Sequence, residues 1–519
     1  MMSEKIDRKI DRLIQYGTAA ELLPGSERIY AINLILDLLN LKEYDGLYVC
    51  DEALGKRMEQ GEYGACLEGT LAGLLDYAVQ KGVIRDTQAQ RDIFGTRLMN
   101  CLVARPHEVI RKFYRYYKES PKQATDWFYK FSMDTDYIRR YRLAKDVRWR
   151  VDTEYGEMEI LISLSKPEKD PRDIARTARR ASVDYPLCAL CRENEGFAGD
   201  ASHAPRQNHR VIPLELGGEG CSFQYSPYGY FNEHCIVLNN RHIPMVIDRA
   251  VFWKLADFVD LFPHYFIGSN ADLPYVGGSI LSHEHFQGGC YELPVMRARV
   301  QSRFSVSRYP RTQCGILHWP VSTIRLAGPS REEIVDLSAR ILDAWKDYED
   351  REAGIIAYTD GERHNTITPL LRKTGKDYEM YLMLRNNRTS KERPYGIFHT
   401  RPQLHHIKKE GIGIIDAPGL AILPSRLERE LAMLCDIMAQ GKRTEETEEL
   451  KKHREWAEMI RGKYSWGSRE ELEKILRKEV GCAFQNMLED AGVFKGDEKG
   501  KEAFGRFVRT LSGELPVEA

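Results

Sequence analysis

Apolar residues recur at helical spacing through the first 145 or so positions, and the period then changes. Ser26 to Leu41, behind Pro24-Gly25, predicts a helix, as do Gly64 to Val79, Thr87 to Leu102, His107 to Tyr117 and Gln123 to Phe131. From Val147 the pattern alternates. Arg148 to Thr153, a Tyr-Gly turn and Met158 to Leu164 read as a hairpin, followed by a short charged helix at Arg172 to Arg180. Strands are expected at Arg210 to Pro213, Ser222 to Tyr225 and His234 to Leu238, then a helix from Asp248 to Phe262 and a strand from His264 to Gly268. Downstream the same order of strand, helix and strands recurs at Val321–Leu326, Arg331–Tyr348, Gly354–Tyr358, Thr366–Leu371 and Tyr378–Leu384. A duplicated α+β unit with antiparallel sheet is the economical account. From Ser425 to about residue 512 the chain is charged and helical, with Leu427, Leu431, Leu434 and Ile437 at heptad-like spacing. The expected division is a helical N-terminal region over 1–146, a first unit over 147–320, a second, degenerate unit over 321–430 and a helical tail over 431–519.

The densest polar signal lies between glycines, in Gly277-Gly278-Ser279-Ile280-Leu281-Ser282-His283-Glu284-His285-Phe286-Gln287-Gly288-Gly289. Read as a strand, it sends His283, His285 and Gln287 to one face and Glu284 and Phe286 to the other. One imidazole can ligate a metal while its neighbour stays available as a nucleophile or base, and Gln287 adds a neutral donor. A half-buried strand with hydrogen-bonded histidines is the structural alternative. Cys188-x-x-Cys191 is half a zinc site, a redox pair or two buried thiols. Zinc needs two further ligands. His242, in a polar turn after a strand, and His283 are the candidates, and Cys221, Cys235 and Cys290 are near enough in sequence to substitute.

Bulk properties narrow the field. The 519 residues are 42% hydrophobic and 29% charged, enough for several packed domains. A net charge of −1 supplies no global field for nucleic acid or anionic lipid. Arg111, Arg115 and Lys118 make one basic helix face among tyrosines, which reads as a solvated face. No apolar run reaches the ~18–20 residues of a membrane helix. Eleven scattered cysteines without a signal core favour free thiols in the cytoplasm.

Cys188-x-x-Cys191, a strand leading to His242, a helix, and His283-Glu284-His285-Phe286-Gln287, in that order, resemble galactose-1-phosphate uridylyltransferase, of the histidine-triad superfamily. The better-known branch carries His-Pro-His-Gly-Gln here. The His-Glu-His-Phe-Gln of this chain and its helical N-terminal extension look like the second, bacterial branch. The motifs cover roughly residues 185–290, and the second unit carries Tyr381 and Met383 where paired histidines stand in the pattern. The resemblance implies His285 as the nucleophile that takes the uridylyl group from UDP-glucose and Gln287 as the contact to the transferred phosphoryl. It implies Cys188, Cys191, His242 and His283 as zinc ligands. Asn270 and Ser279 lie near the family's uridine-diphosphate contacts, at spacings that differ by a residue or two. No iron site is predicted, because Tyr381-Leu382-Met383 replaces the histidine pair, and Glu292 is left without a role. Nucleotide sites in such folds often border subunit interfaces, so a homodimer is expected.

The implied reaction moves UMP from UDP-glucose to galactose 1-phosphate, giving glucose 1-phosphate and UDP-galactose. A covalent uridylyl-histidine retains the group between two in-line displacements. A backbone carbonyl in the Gly277–Ser282 region can hold His285, and the Gly288 and Gly289 amides can stabilise phosphoryl oxygens, unless they serve only a turn. Arg372, Arg385, Arg388, Lys408 and Lys409 are candidate cations there, and otherwise surface charges. The alternatives are a dinucleoside-polyphosphate hydrolase or phosphorylase and a non-catalytic zinc-stabilised binding protein.

Overall fold

A computed structural model describes residues 5–45, 48–164, 185–200, 203–278, 280–442 and 447–512. The charged helix expected at 172–180 lies outside them. The chain divides into two compact units, one of residues 1–145, 182–214 and 220–229, the other of residues 146–181, 215–219 and 230–519. The described elements make an α+β fold with mostly antiparallel sheet.

The first unit is built on α1 (Ile6–Ala19), α2 (Arg28–Leu38), α3 (Glu52–Glu59), α4 (Tyr63–Gln80), α5 (Gln88–Asn100), α6 (Pro106–Tyr117), α7 (Pro121–Asp134) and the single turn α8 (Arg140–Leu143). Side chains that accept amide hydrogens start three of them: Asp51 from Leu54, Thr87 from Gln90 and Ser120 from Lys122. Proline opens α6 and α7, where its missing N–H costs nothing. Phe113, Phe128 and Phe223 form an aromatic core with ring centroids 5.8–6.4 Å apart. The hydroxyl of Tyr225 donates to the Thr125 carbonyl at 2.9 Å, and Tyr137 donates to the Tyr225 carbonyl at 3.1 Å. Arg111, Arg115 and Lys118 are exposed, as a solvated face requires.

In the second unit β1 (Val147–Thr153) and β2 (Gly156–Ser163) form the expected hairpin, and β15 (Leu420–Pro424) joins β2 in parallel. Next in sequence come β3 (Ile212–Leu216) and β4 (Glu219–Tyr225), most of whose residues belong to the first unit. Gly217 and Gly218, at φ +60° and +73°, turn between these strands in a conformation that side chains disfavour. β3 begins at Ile212, two residues later than the pattern suggested.

The repeated order is then visible. The first copy is β5 (Cys235–Asn239), α9 (Arg249–Leu261), β6 (Phe266–Gly268) and β7 (His285–Gly289). After β8 (Val300–Phe304) and β9 (Gln313–Leu317) the second copy follows: β10 (Thr323–Gly328), α10 (Arg331–Lys346), the short pair β11 (Tyr358–Thr359) and β12 (Glu362–Arg363), β13 (Asn365–Thr374) and β14 (Asp377–Asn386). Their sheet order is β5-β7-β6-β13-β14-β10-β9-β8, antiparallel throughout, with β6 against β13 where the copies meet. Asp248 caps α9 and Ser330 caps α10, and Arg331 bridges to Asp257 and Asp260 on α9.

Two expected strands differ. Gly354 has φ +74° and sits in a tight turn closed by an Asp350–Ile355 bridge, so no strand spans Gly354–Tyr358. The histidine stretch becomes a strand only at His285. Before it, Leu281 and Glu284 bond to the 239–245 turn: Met245 N to Leu281 O at 2.9 Å, Glu284 N to Ile243 O at 2.7 Å and Asn239 N to Glu284 O at 3.0 Å.

The tail comprises α11 (Arg426–Ala439), α12 (Arg454–Lys463), α13 (Arg469–Ala491) and α14 (Glu498–Ser512). Trp149 Nε1 donates to the Arg477 carbonyl at 3.1 Å, docking α13 on β1. Buried in the tail, Glu430 accepts from His453 Nε2 at 2.9 Å, and His453 Nδ1 meets His406 Nδ1 at 2.8 Å. Burial, then His453 and Arg426, push His406 down to about 3. Burial would raise Glu430, but His453, Lys452 and Arg426 hold it down to about 2. The unfolded chain therefore binds more protons at His406 between pH 6.5 and about 3, and at Glu430 between 4.5 and about 2. Stability is fully present above pH ~6.5 and is lost on acidification through both windows. His406→Gln is expected to reduce the slope of stability against pH between about 6.5 and 4.5 by close to one proton, measured by urea unfolding. An unchanged slope would contradict this assignment.

Candidate active site and metal cluster

His285 opens β7 and is buried. Its Nδ1 lies 2.8 Å from the His283 carbonyl, and a carbonyl only accepts, so Nδ1 carries the hydrogen and Nε2 the lone pair. Burial pushes the imidazole down to about 4, which keeps it neutral at pH 7. The holding carbonyl is one residue beyond the expected Gly277–Ser282 region. Two residues on, Gln287 faces the same side as His285 and is partly exposed. Its Oε1 accepts from His234 Nε2 at 3.1 Å, which turns the amide NH₂ away, as a donor to whatever lies beside His285.

Glu284 points elsewhere, as the alternation predicts. It is buried and accepts from Lys254 Nζ at 2.7 Å and Asn239 Nδ2 at 2.8 Å. With the backbone bonds to the 239–245 turn, these contacts fix the segment that carries His283 against the turn that carries His242. The two imidazole rings lie 4.6 Å apart. His283 Nε2 donates to the Asn239 carbonyl at 2.8 Å, leaving Nδ1 as its lone-pair nitrogen, the second-sphere arrangement that metal-bound histidines use.

Cys188 and Cys191 sit on a turn pinned by Asn194, whose Nδ2 donates to both cysteine carbonyls at 2.8 Å. Their sulfurs are 3.5 Å apart, close to the roughly 3.8 Å that a tetrahedral zinc with ~2.3 Å bonds imposes. The contact to Cys191, then the Leu190 amide, hold the Cys188 thiol below its usual range despite burial. One ligand atom from each of Cys188, Cys191, His242 and His283 lies within 4.8 Å of all the others. This cluster can hold a metal ion.

Residues 50–244 match the family model described as galactose-1-phosphate uridyl transferase, N-terminal domain, and residues 258–458 match that of the C-terminal domain. The galactose-1-phosphate uridylyltransferase of Clostridium acetobutylicum is 44% identical over 98% of this chain and 100% of its own length. Those of Caldanaerobacter subterraneus, 45% identical over 96% of this chain and 97% of theirs, and Bacillus subtilis, 43% over 98% of both, agree. The chain belongs to the galactose-1-phosphate uridylyltransferase family. It is a nucleotidyltransferase. Among solved structures, yeast Ap4A phosphorylase aligns with a TM-score of 0.31 at 10% identity, over 64% of this chain and 91% of that one.

In this uridylyltransferase Asn270 is buried, and its Oδ1 accepts from the Ile414 amide at 2.9 Å. Ser279 lies outside the described residues. Gly288 lies between Cys235 of β5 and Ile267 of β6, and a Cβ there would come within 2.2 Å of the Phe266 carbonyl, so close strand packing requires glycine. Among the candidate cations, Arg372 pairs with Glu379 and Glu292, which gives Glu292 a partner. Two expected surface charges are in fact buried: Lys408, paired with Asp416 at 2.7 Å, and Arg385.

Sequence reading missed His234. It precedes β5, stacks on Tyr230 and meets Phe231 at a tilt, and burial pushes it down to about 4, so it is neutral. Only the pairing of Cys235 with Gly288 brings it to Gln287, and register is not written in a single strand. His234→Phe removes the donor that orients the Gln287 amide. We expect kcat to fall about 10- to 100-fold with little change in the KM for UDP-glucose, and His234→Asn to recover part of it. Steady-state kinetics with unaltered kcat would refute the positioning role.

Proposed function

We infer that this chain exchanges UMP between UDP-glucose and galactose 1-phosphate through a covalent uridylyl-His285. The observation that carries the reading is the 2.8 Å bond from His285 Nδ1–H to the His283 carbonyl, which leaves a neutral imidazole with its Nε2 lone pair as nucleophile. In the first half-reaction Nε2 attacks the α-phosphorus of UDP-glucose. An N–P bond forms as the P–O bond to the leaving phosphate breaks, and glucose 1-phosphate departs as an anion without needing a proton. Galactose 1-phosphate then attacks the same phosphorus through a phosphate oxygen, releasing UDP-galactose and restoring the imidazole. The Gln287 amide, oriented by His234, donates to the phosphoryl oxygens where charge develops. Asn270, Ser279 and Gly288 are proposed contacts to the substrate.

The donor set suits zinc. Two thiolates and two neutral imidazoles cancel its charge in a closed tetrahedron, and the ion would crosslink the Cys188–Cys191 turn to His283, steadying the carbonyl that holds His285. The proposed organisation is a helical region over 1–146, a catalytic unit over 147–320, a degenerate unit over 321–430 and a helical tail over 431–519, working as a cytoplasmic homodimer. No helix among the described residues is long and apolar enough to cross a membrane. The test is the mass of the intact protein after incubation with UDP-glucose alone. An added UMP supports the reading. No adduct, together with no glucose 1-phosphate released, refutes it.

A further inference from the structure

The second copy of the repeated unit contains a buried cation that the fold does not neutralise. Arg385 follows Met383 and Tyr381 on β14 at the spacing with which Gln287 follows His285 and His283. Directly opposed residues share a face, and the registers run Gln287, Gly268, Leu370, Tyr381 across four strands. Arg385 therefore faces the same side of the sheet as Gln287. At ~4.8 Å between strands and ~3.3 Å per residue, the two Cα atoms are about 19 Å apart, too far to share one phosphoryl group.

Arg385 is 1% exposed, and its Nε and Nη1 have no hydrogen-bond partner. Burial lowers its pKa only to about 10, so the guanidinium remains charged. Asp416 acts on it, but that carboxylate is engaged: Oδ1 accepts from Lys408 Nζ at 2.7 Å and the Ile422 amide at 3.0 Å, and Oδ2 from the Gly413 amide at 3.4 Å. Lys408 offsets its charge. His399 lies within the field of Arg385, and its Nε2 and the neighbouring Thr400 Oγ1 are also buried without partners. A single unpaired buried ion costs several kcal/mol, and native cores rarely leave such groups together. A bound ligand would remove the cost.

The chemistry of the three groups selects its class. Nη1 and the Nη2 beside it end the guanidinium in a pair of N–H groups that fits two oxygens of an oxyanion. His399 Nδ1 donates to the Thr400 carbonyl at 3.2 Å, so Nε2 is an acceptor and suits an acidic hydroxyl on the same ligand. A phosphate has both features, and a carboxylate lacks the second. We propose that Arg385, His399 and Thr400 form a second anion site on the catalytic face of the sheet, which takes a phosphate group apart from the one that reacts. The proposal stands independently of the nucleophile assigned to His285.

The test is thermal unfolding of the full chain in inorganic phosphate against chloride at equal ionic strength. The wild type should show a saturable rise in Tm of about 3 °C. Arg385→Met should lose that rise and, with a lone buried charge removed, melt no lower than the wild type without phosphate. Absence of the rise in the wild type, or its full retention in Arg385→Met, would overturn the site. If Arg385→Met does not fold, Thr400→Val serves: a smaller phosphate rise supports the site and an undiminished one rejects it. Galactose 1-phosphate in the same assay identifies the source of the phosphate. If a hexose 1-phosphate occupies the site, Arg385→Met loses part of the rise in Tm that galactose 1-phosphate gives. If free phosphate does, Arg385→Met keeps that rise in full and loses only the one that inorganic phosphate gives. The UMP adduct, read on the same variant, separates failure of this site from failure of the uridylyl-histidine.

Discussion

Incubated with UDP-glucose alone, the wild-type protein should gain the mass of one UMP per chain and release one glucose 1-phosphate, whereas His285→Ala should gain nothing. In the proposed mechanism the imidazole holds the retained group until its acceptor arrives, so kcat/KM in His285→Ala should fall by at least about 10⁴-fold. The effect is not one of folding. His285 is held through one hydrogen bond to the backbone, and alanine leaves β7 and its pairing with β5 and β6 in place. The adduct should also be acid-labile and alkali-stable, as phosphoramidates are, and it should disappear when galactose 1-phosphate is added. An adduct that persists in His285→Ala would move the nucleophile elsewhere. A protein that hydrolyses UDP-glucose without ever carrying UMP would point to a hydrolase instead.

The second large effect is expected from the cysteine pair. Cys191→Ser should lower bound zinc, read by elemental analysis of the purified protein, from about one per chain to near zero. Binding energy at a structural zinc is shared with folding, of order 10 kcal/mol, so Tm should drop by about 10 °C. Adduct formation should slow as well, because His283 offers its ring to the cluster and its carbonyl to His285. Cys221 and Cys235 are buried, and burial pushes the Cys235 thiol far up, which makes it a poor thiolate ligand; Cys235→Ala should leave zinc content unchanged. Zinc-free wild type, with Cys191→Ser as stable as its parent, would remove the metal from the account.

Much of the site was legible because its signals are local. Cys188 and Cys191 need only a turn to face each other, and His285 and Gln287 share a face by the two-residue period of a strand. Helix starts at Thr87, Asp248 and Ser330 could be read because the capping group lies next to the turn it caps, whereas α7 starts at Pro121 behind Ser120 and not at the expected Gln123. The strand assignment failed at Leu281–Glu284 because those residues spend their backbone bonds on a turn about forty positions earlier, and alternation says nothing about which partner a backbone group will find. Arg385 and Lys408 were read as surface charges because a charged side chain is usually exposed. Their burial follows from where β14 and the 405–416 segment pack.

Sequence alone determined the helical beginning and end, the twice-repeated strand–helix–strand order and that His285 and Gln287 share a face, since each rests on spacing within one element. Tertiary structure decided which nitrogen of His285 keeps its lone pair, that His234 bonds to Gln287, that His242 and His283 meet and that Arg385 Nε and Nη1 are buried without partners. Those outcomes depend on register and on long-range backbone bonds, whose energies come from partners tens or hundreds of residues away.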